Sequence, residues 1–326
     1  MKLELRSVSV RYGAGTDAFT AVDAVDLSLE GGSTMGLVGE SGCGKSTLAR
    51  AVVDLVPLAR GTILLDGEDV TDPKLRNRSE FRRRVQMIFQ DPYASLNPRL
   101  TVKEMLLDAI GHVDGIPRSR QMPAARRSLD MVGIPSNALD RFPHQFSGGQ
   151  RQRIAIARAL AVEPEVIIHD EVTSALDVSV QAAILNLLKE LQQQLQLSYL
   201  FISHDLATVR YMSTSVGVMY LGRIVEKAPL GDLFANPQHP YTKALIDTIP
   251  KFGSARRSAP LIGDVPDPRK PPPGCRFSSR CPVGPRFDPS RTICREVDPQ
   301  LGANRRPHSA ACHFAGNVTA VTTTAV

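Results

Sequence analysis

The 326-residue chain has no tryptophan, and six tyrosines and eleven phenylalanines bring its aromatic share to only 5%. No apolar run approaches the roughly 18–20 residues that a membrane-crossing helix needs. The start, MKLELRSVSV, lacks the basic and apolar regions of a secretory signal. Together these absences lead us to expect a cytosolic chain. Cysteine is also scarce: Cys43 stands alone in the first 274 residues, while Cys275, Cys281, Cys294 and Cys312 share the last 52. A reducing compartment argues against a disulfide framework, which leaves metal binding or reactive thiols as uses for them.

The length allows about two domains, and 42% hydrophobic residues suffice for a buried core. Residues 1–250 carry 27 Lys and Arg against 28 Asp and Glu, whereas 251–326 carry 12 against 5, so the surplus behind the net charge of +6 lies in the tail. That tail holds eleven of the 24 prolines, including a triple at 271–273. A boundary near 236–255 follows, with residues 1–235 as one domain and 236–326 as an extension. If the basic tail met nucleic acid, only Phe277, Phe287 and Phe314 could stack on its bases, so no nucleic-acid partner is expected. The basic run RNRSEFRRR, 76–84, reads as a solvated helix face, or else as a contact for anionic headgroups.

Ahead of the tail, apolar runs bounded by glycine alternate with stretches of helical period, the pattern of an α/β fold with a parallel sheet covered by helices. Strands are predicted at 34–39, 85–90, 165–170 and 198–203, and a helix at 45–56. The first strand runs into GESGCGKST, 39–47, a phosphate loop in its strand-then-helix context. Gly39, Ser41, Gly42, Cys43 and Gly44 would wrap the backbone around phosphate oxygens, with Lys45 reaching the β and γ phosphates and Ser46 and Thr47 opening the helix. The Ser46 hydroxyl would sit on Mg²⁺. Cys43 reads as a tolerated small side chain whose thiol should make ATP binding sensitive to alkylation.

EVIIHDE, 165–171, is an apolar strand ending in two acids. Asp170 suits a Mg²⁺ ligand and Glu171 a general base for the attacking water. In FSGGQRQRIAIARAL, 146–160, Ser147, Gly148, Gly149 and Gln150 open a second glycine-led helix, another cradle for an anion.

With these residues in hand, the chain resembles an ATP-binding-cassette ATPase. FSGGQ is similar to the family signature, Gln90 to the Q-loop glutamine, SALD at 174–177 to the D-loop with Asp177, and His204 to the switch histidine. Tyr12 stands where the family places an aromatic that stacks on adenine. The resemblance implies a P-loop NTPase fold with a RecA-like parallel core, an antiparallel β subdomain and a helical subdomain at about 91–163. It also implies a head-to-tail pair of cassettes, each signature closing on the partner's γ-phosphate. Glu171, His204 and Gln90 would be catalytic, Gln90 would join Ser46 and Asp170 at Mg²⁺, and Gln90 would also link that site to the membrane partner. Two departures stand out. Val172 replaces the usual proline, and His169 replaces a small residue. Strand alternation puts His169 opposite Asp170, as a packed, hydrogen-bonded histidine.

NPQHPYTKALIDTIP at 236–250, with QDPYASLNPR and PPPGCRFSSRCP, resembles the oligopeptide, dipeptide and nickel importers, most closely the second ATPase subunit of a pair. This implies a partner ATPase, two permeases, a substrate-binding protein, and a peripheral location on the cytoplasmic face of the membrane. Nickel or another small solute is the alternative cargo, and a soluble cassette protein acting on DNA or ribosomes the alternative class. The tail spacing C-x5-C-x12-C-x17-C leaves zinc, an iron–sulfur cluster or four unrelated thiols open, though it lacks the close ligand pairs usual for zinc. Some members of the family carry a [4Fe–4S] cluster on cysteines of this segment, and Pro282 after Cys281 is similar to the Cys-Pro step of ferredoxins. Arg276, Arg280, Arg291 and Arg295 would offset the charge of such a cluster.

Overall fold

The structure, a computed structural model, describes residues 2–72, 78–91, 95–113, 116–174, 176–249, 263–301 and 307–316. Strands β1 (Lys2–Tyr12) and β2 (Phe19–Glu30) form an antiparallel hairpin. Strand β3 (Thr34–Val38) leaves for a second sheet, and the chain returns to the first with β4 (Arg60–Leu65) and β5 (Glu68–Asp69), giving the order β2-β1-β4-β5. The second sheet adds β6 (Val85–Ile88), β7 (Val166–Asp170), β8 (Ser198–Ser203), β9 (Ser215–Tyr220), β10 (Arg223–Pro229) and β11 (Ser309–Ala310). Its order is β11-β10-β9-β3-β8-β7-β6, parallel from β9 through β6 and antiparallel at the β10 and β11 edge.

Every residue of β3, β7 and β8 is buried, because helices or the antiparallel sheet cover both faces. This explains why these strands read as unbroken apolar runs rather than alternating ones. Leu3, Val8, Val25, Leu37, Leu48 and Ile168 belong to the cluster between the two sheets. The other face is covered by a larger cluster that includes Ile154, Ile167, Leu188 and Phe201. Helices Val102–Gly111, Arg118–Met131 and Gly148–Leu160 pack on one another between β6 and β7 in the chain. Among the described residues no helix is long and apolar enough to cross a membrane.

Two expectations change. The helix predicted at 45–56 ends at Val52. Leu55 N–H donates to the Arg50 carbonyl at 2.8 Å, Asp54 N–H to that of Ala51 at 3.2 Å, and Asp54 takes φ +62. This is a Schellman stop, with Asp54 where glycine is usual, so the sequence carried no warning. The helix of the basic run, Arg78–Arg84, is not wholly solvated either. Arg84 is only 16% exposed and pairs with Glu165 and Asp66; residues 76 and 77 of the run lie outside the described residues. The proline-rich extension packs on the cassette, with Phe277, Cys281 and Val283 in the larger core cluster.

Candidate functional site

From β3 the backbone enters the phosphate loop. Gly44 sits at φ +108 with only 2.4 Å between a would-be Cβ and the Ala21 carbonyl oxygen, so no side chain fits there. Gly42, at φ +77, has nothing within 4 Å of that position and faces open space. Ser41 is exposed and Thr47 half-buried at the mouth. Lys45 is 4% exposed. Its Nζ donates to the carbonyls of Gly39 at 2.8 Å and Glu40 at 3.0 Å, tying the loop to itself with bonds that phosphate oxygens could take over. Ser46 Oγ donates to Asp170 Oδ1 at 2.7 Å, so the two oxygens predicted for Mg²⁺ already touch. Burial pushes the Asp170 carboxyl up, against the pull of that hydrogen bond. Cys43 corrects an expectation. Its side chain is 4% exposed and burial pushes the thiol up, so little thiolate is offered to an alkylating agent.

At the end of β7 the chain turns at Glu171, which takes φ +48 while its N–H donates to Ile202 O at 3.0 Å on β8. The turn brings three distant side chains together: Glu171 Oε2 accepts from Gln90 Nε2 at 3.2 Å and meets His204 Nδ1 at 3.1 Å. Ser174, which sequence reasoning did not single out beyond the SALD motif, donates to the Glu171 carbonyl at 3.0 Å. Val172 is buried. His169 is fully buried on the face away from Asp170, as expected, yet neither ring nitrogen has a hydrogen-bond partner. The facing strand offers it rings instead, Tyr199 at 4.5 Å and Phe201 at 5.8 Å between centroids.

The signature turn is built as a capping box. Gln150 N–H donates to Ser147 Oγ at 3.3 Å, and Ser147 N–H to Gln150 Oε1 at 3.0 Å. Gly149 is pressed on the helix Val178–Leu195, with a would-be Cβ 2.6 Å from Val180 Cγ1, and Gly148 lies open beside Leu176. Asp177 caps that helix by accepting from Val180 N–H at 2.9 Å and Ser179 Oγ at 2.7 Å, with the Ser179 bond the first cause of its lowered carboxyl pKa. No hydrogen bond among the described residues joins the signature turn to the phosphate loop of its own chain. Tyr12, half-buried at the end of β1, pairs across the hairpin with Phe19, ring centroids 5.8 Å apart. Phe19 was missed, although the glycine turn at 13–15 between two strand patterns could have placed it.

Cys275, Cys281, Cys294 and Cys312, far apart in sequence, line one pocket together with His239, Phe277 and Arg291. Burial pushes the thiols of Cys275 and Cys281 up to about 12 and raises those of Cys294 and Cys312. Among the described residues no three His, Cys, Asp or Glu side chains form a group that could hold a metal ion, so neither zinc nor an iron–sulfur cluster finds a ready-made ligand set. The four arginines are mostly engaged elsewhere: Arg276 on Asp23 and the Leu221 carbonyl, Arg280 on Glu40, and Arg295 on the Pro285 carbonyl at 3.1 Å. Only Arg291, paired with Asp288 at 3.0 Å, lines the cysteine pocket.

Known proteins share this arrangement. A family profile described as ABC transporter matches residues 22–174, and one described as the oligopeptide/dipeptide transporter C-terminal region matches 225–285. A Brucella ovis protein provisionally named a peptide import ATP-binding protein is 45% identical over 313 residues, covering 95% of this chain and 96% of that one. The oligopeptide transport ATP-binding protein AppF of Bacillus subtilis is 43% identical over 324 residues, 96% and 97% of the two chains. Among solved structures, the dimeric ATP-binding cassette MJ0796 bound to ADP and Pi aligns at TM-score 0.62 and 28% identity over 70% of this chain and 98% of that one. CbiO1 of Clostridium perfringens, part of the ABC transporter complex CbiONQ, aligns at 0.63 and 28% over 72% and 90%. With a Walker loop, a signature helix, a switch histidine and a cysteine-bearing extension in one chain, the protein belongs to the ABC transporter ATPases, in their oligopeptide/dipeptide family.

Proposed function

We propose that this chain is the ATP-hydrolysing subunit of a peptide importer and works as one half of a head-to-tail pair with a second, non-identical ATPase. The carrying observation is the meeting of Gln90 and His204 on Glu171, beside the Ser46–Asp170 pair. In this reading Glu171 takes the proton of the attacking water, His204 orients Glu171 and the γ-phosphate, and Gln90 reports the state of the site to the helical subdomain. Lys45 and the N–H groups of 39–47 bind the phosphates, and Tyr12, helped by Phe19, stacks on adenine. Ser46, Asp170 and Gln90 would hold Mg²⁺, which screens phosphate charge when bound. Ser147, Gly148, Gly149, Gln150 and Asp177 serve the partner's nucleotide rather than this chain's own.

The names of the relatives support peptides as cargo, and the matched C-terminal region supports a peptide-type complex of two permeases fed by a substrate-binding protein. A groove lined by Leu55, Phe81, Phe89, Met105 and His112, with Phe89 the chain neighbour of Gln90, suits the permease on the cytoplasmic face. We take 1–235 as the cassette and 236–326 as the extension. The convergence of the four tail cysteines on one pocket is what supports reading them as holders of an iron–sulfur group, whose service here would be to staple the tail. Iron and sulfide analysis of anaerobically purified protein tests that assignment. The function itself is tested with Glu171→Gln in the assembled transporter. ATP binding should persist while turnover falls by about two to three orders of magnitude; full turnover by the purified single subunit would overturn the paired-site reading.

A further inference from the structure

Glu40, the second residue of the phosphate loop, is held from three directions. Its N–H donates to the Tyr241 hydroxyl at 2.9 Å, its carbonyl accepts from Lys45 Nζ at 3.0 Å, and its carboxylate takes Arg280 Nη1 at 2.6 Å and Nη2 at 3.0 Å. Two of the three partners belong to the extension. The Arg280 side chain is 6% exposed and that of Glu40 26%, so the forked contact sits largely out of water, where it is both strong and directional. Arg280 is anchored in turn, Nε on the Gly263 carbonyl at 3.1 Å and Nη1 near the Tyr220 hydroxyl at 3.4 Å. Tyr220, Tyr241 and Phe277 pack edge-on and tilted into one cluster with centroids 4.7, 5.3 and 5.4 Å apart, bridging the cysteine pocket and the loop.

The charge of Glu40 gives this contact its meaning. The loop exists to receive an anionic triphosphate, and an unpaired carboxylate on it opposes that ligand. Its neutralising partner lies 240 positions away. It is carried between Cys275 and Cys281 on a turn closed by Ser278 N–H to Cys275 O at 2.9 Å and Arg280 N–H to Phe277 O at 3.0 Å.

We propose that Arg280 is a positioning residue of the nucleotide site: by clamping and neutralising Glu40, it makes ATP affinity conditional on the docked C-terminal extension. The inference rests on ATP binding alone, not on peptide as cargo. A wild-type chain that fails to bind ATP would sink the ATPase reading, whereas the comparisons below bear only on Arg280.

The experiment is equilibrium binding of MgATP to the full-length chain. Arg280→Ala should weaken binding about tenfold, equivalent to about 1.4 kcal/mol. Glu40→Gln, which removes the opposing charge and leaves the Arg280 cation beside the site, should not weaken binding. The double variant Glu40→Gln/Arg280→Ala should return to about the wild-type level, because the pair is again neutral and the unpaired carboxylate is gone. The Arg280→Ala deficit should also shrink at high salt, as screening demands. A purely structural role predicts no such rescue. Wild-type affinity in Arg280→Ala, or a double variant as weak as Arg280→Ala, overturns the proposal. If Arg280→Ala does not fold, Arg280→Gln carries the same comparison: it removes the cation with a smaller loss of bulk, so it must lose affinity alone and regain it with Glu40→Gln, and any other result counts against the proposal.

Discussion

His169 and Asp170 are consecutive and almost wholly out of water, 0% and 2% exposed, yet they face opposite sides of the sheet. Asp170 meets Ser46, while His169 lies against aromatic rings. Burial alone depresses the His169 imidazole to about 3, and His239, buried in the extension, is likewise depressed to about 3. The folded pKa lies below the unfolded value of about 6.5, so on acidification the unfolded chain takes up these protons first. The stability these sites hold above pH 6.5 is therefore lost as pH falls, and the loss levels off below about 3. At pH 5 it amounts to about 2 kcal/mol per histidine. Urea unfolding of His169→Leu at pH 7.5 and 5.0 should show a fall smaller than that of wild type by about that amount; equal falls would mean His169 is solvated. Strand alternation placed this histidine on the correct face from sequence. Its missing hydrogen bond was not legible, because the facing residues Tyr199 and Phe201 come from a strand whose register only the fold sets.

Two helices open with the same device. Thr101 and Glu104 form a capping box at Val102–Gly111, as Ser147 and Gln150 do at Gly148–Leu160. Each box should contribute about 1 kcal/mol to stability, so Thr101→Ala and Ser147→Ala should lower the unfolding free energy alike. In the assembled transporter only Ser147→Ala should abolish ATPase activity, because in the proposed paired site only that N-terminus would face a neighbour's phosphate. If both variants lose activity equally, the signature serine acts as a cap and nothing more. Local patterns of this kind were readable in the sequence, and so were the strands β3, β7 and β8, because buried parallel strands leave continuous apolar runs. The premature end of the helix at Val52 was not, because Asp54 adopts a glycine conformation without being glycine.

Across the whole molecule the phosphate loop, the acids of β7, the signature and the switch histidine were legible because each is a contiguous motif. The contacts that join the tail to the cassette were hidden, because they pair single residues across great separations. Glu226 shows how firm the join is. Fully buried on β10, it accepts from Gln238 N–H at 2.7 Å and His239 N–H at 2.8 Å and meets His308 Nε2 at 2.7 Å, tying the linker and the β11 segment to the edge of the sheet. Glu226→Gln turns an amide NH₂ toward one of these donors and should cost about 1–3 kcal/mol, read by denaturant unfolding; hydrogen exchange at β10 should accelerate with it. The clamp of Arg280 on Glu40 has a further consequence in time. Translation delivers the loop 240 residues ahead of its clamp. The last strand of the cassette ends at Pro229, 51 residues before Arg280, so at about 5–20 residues per second the finished cassette spends about 3–10 seconds with that carboxylate unanswered. On the proposed role of Arg280, a cassette still tethered to the ribosome should hold ATP weakly, and gain full hold once the extension has folded back onto it.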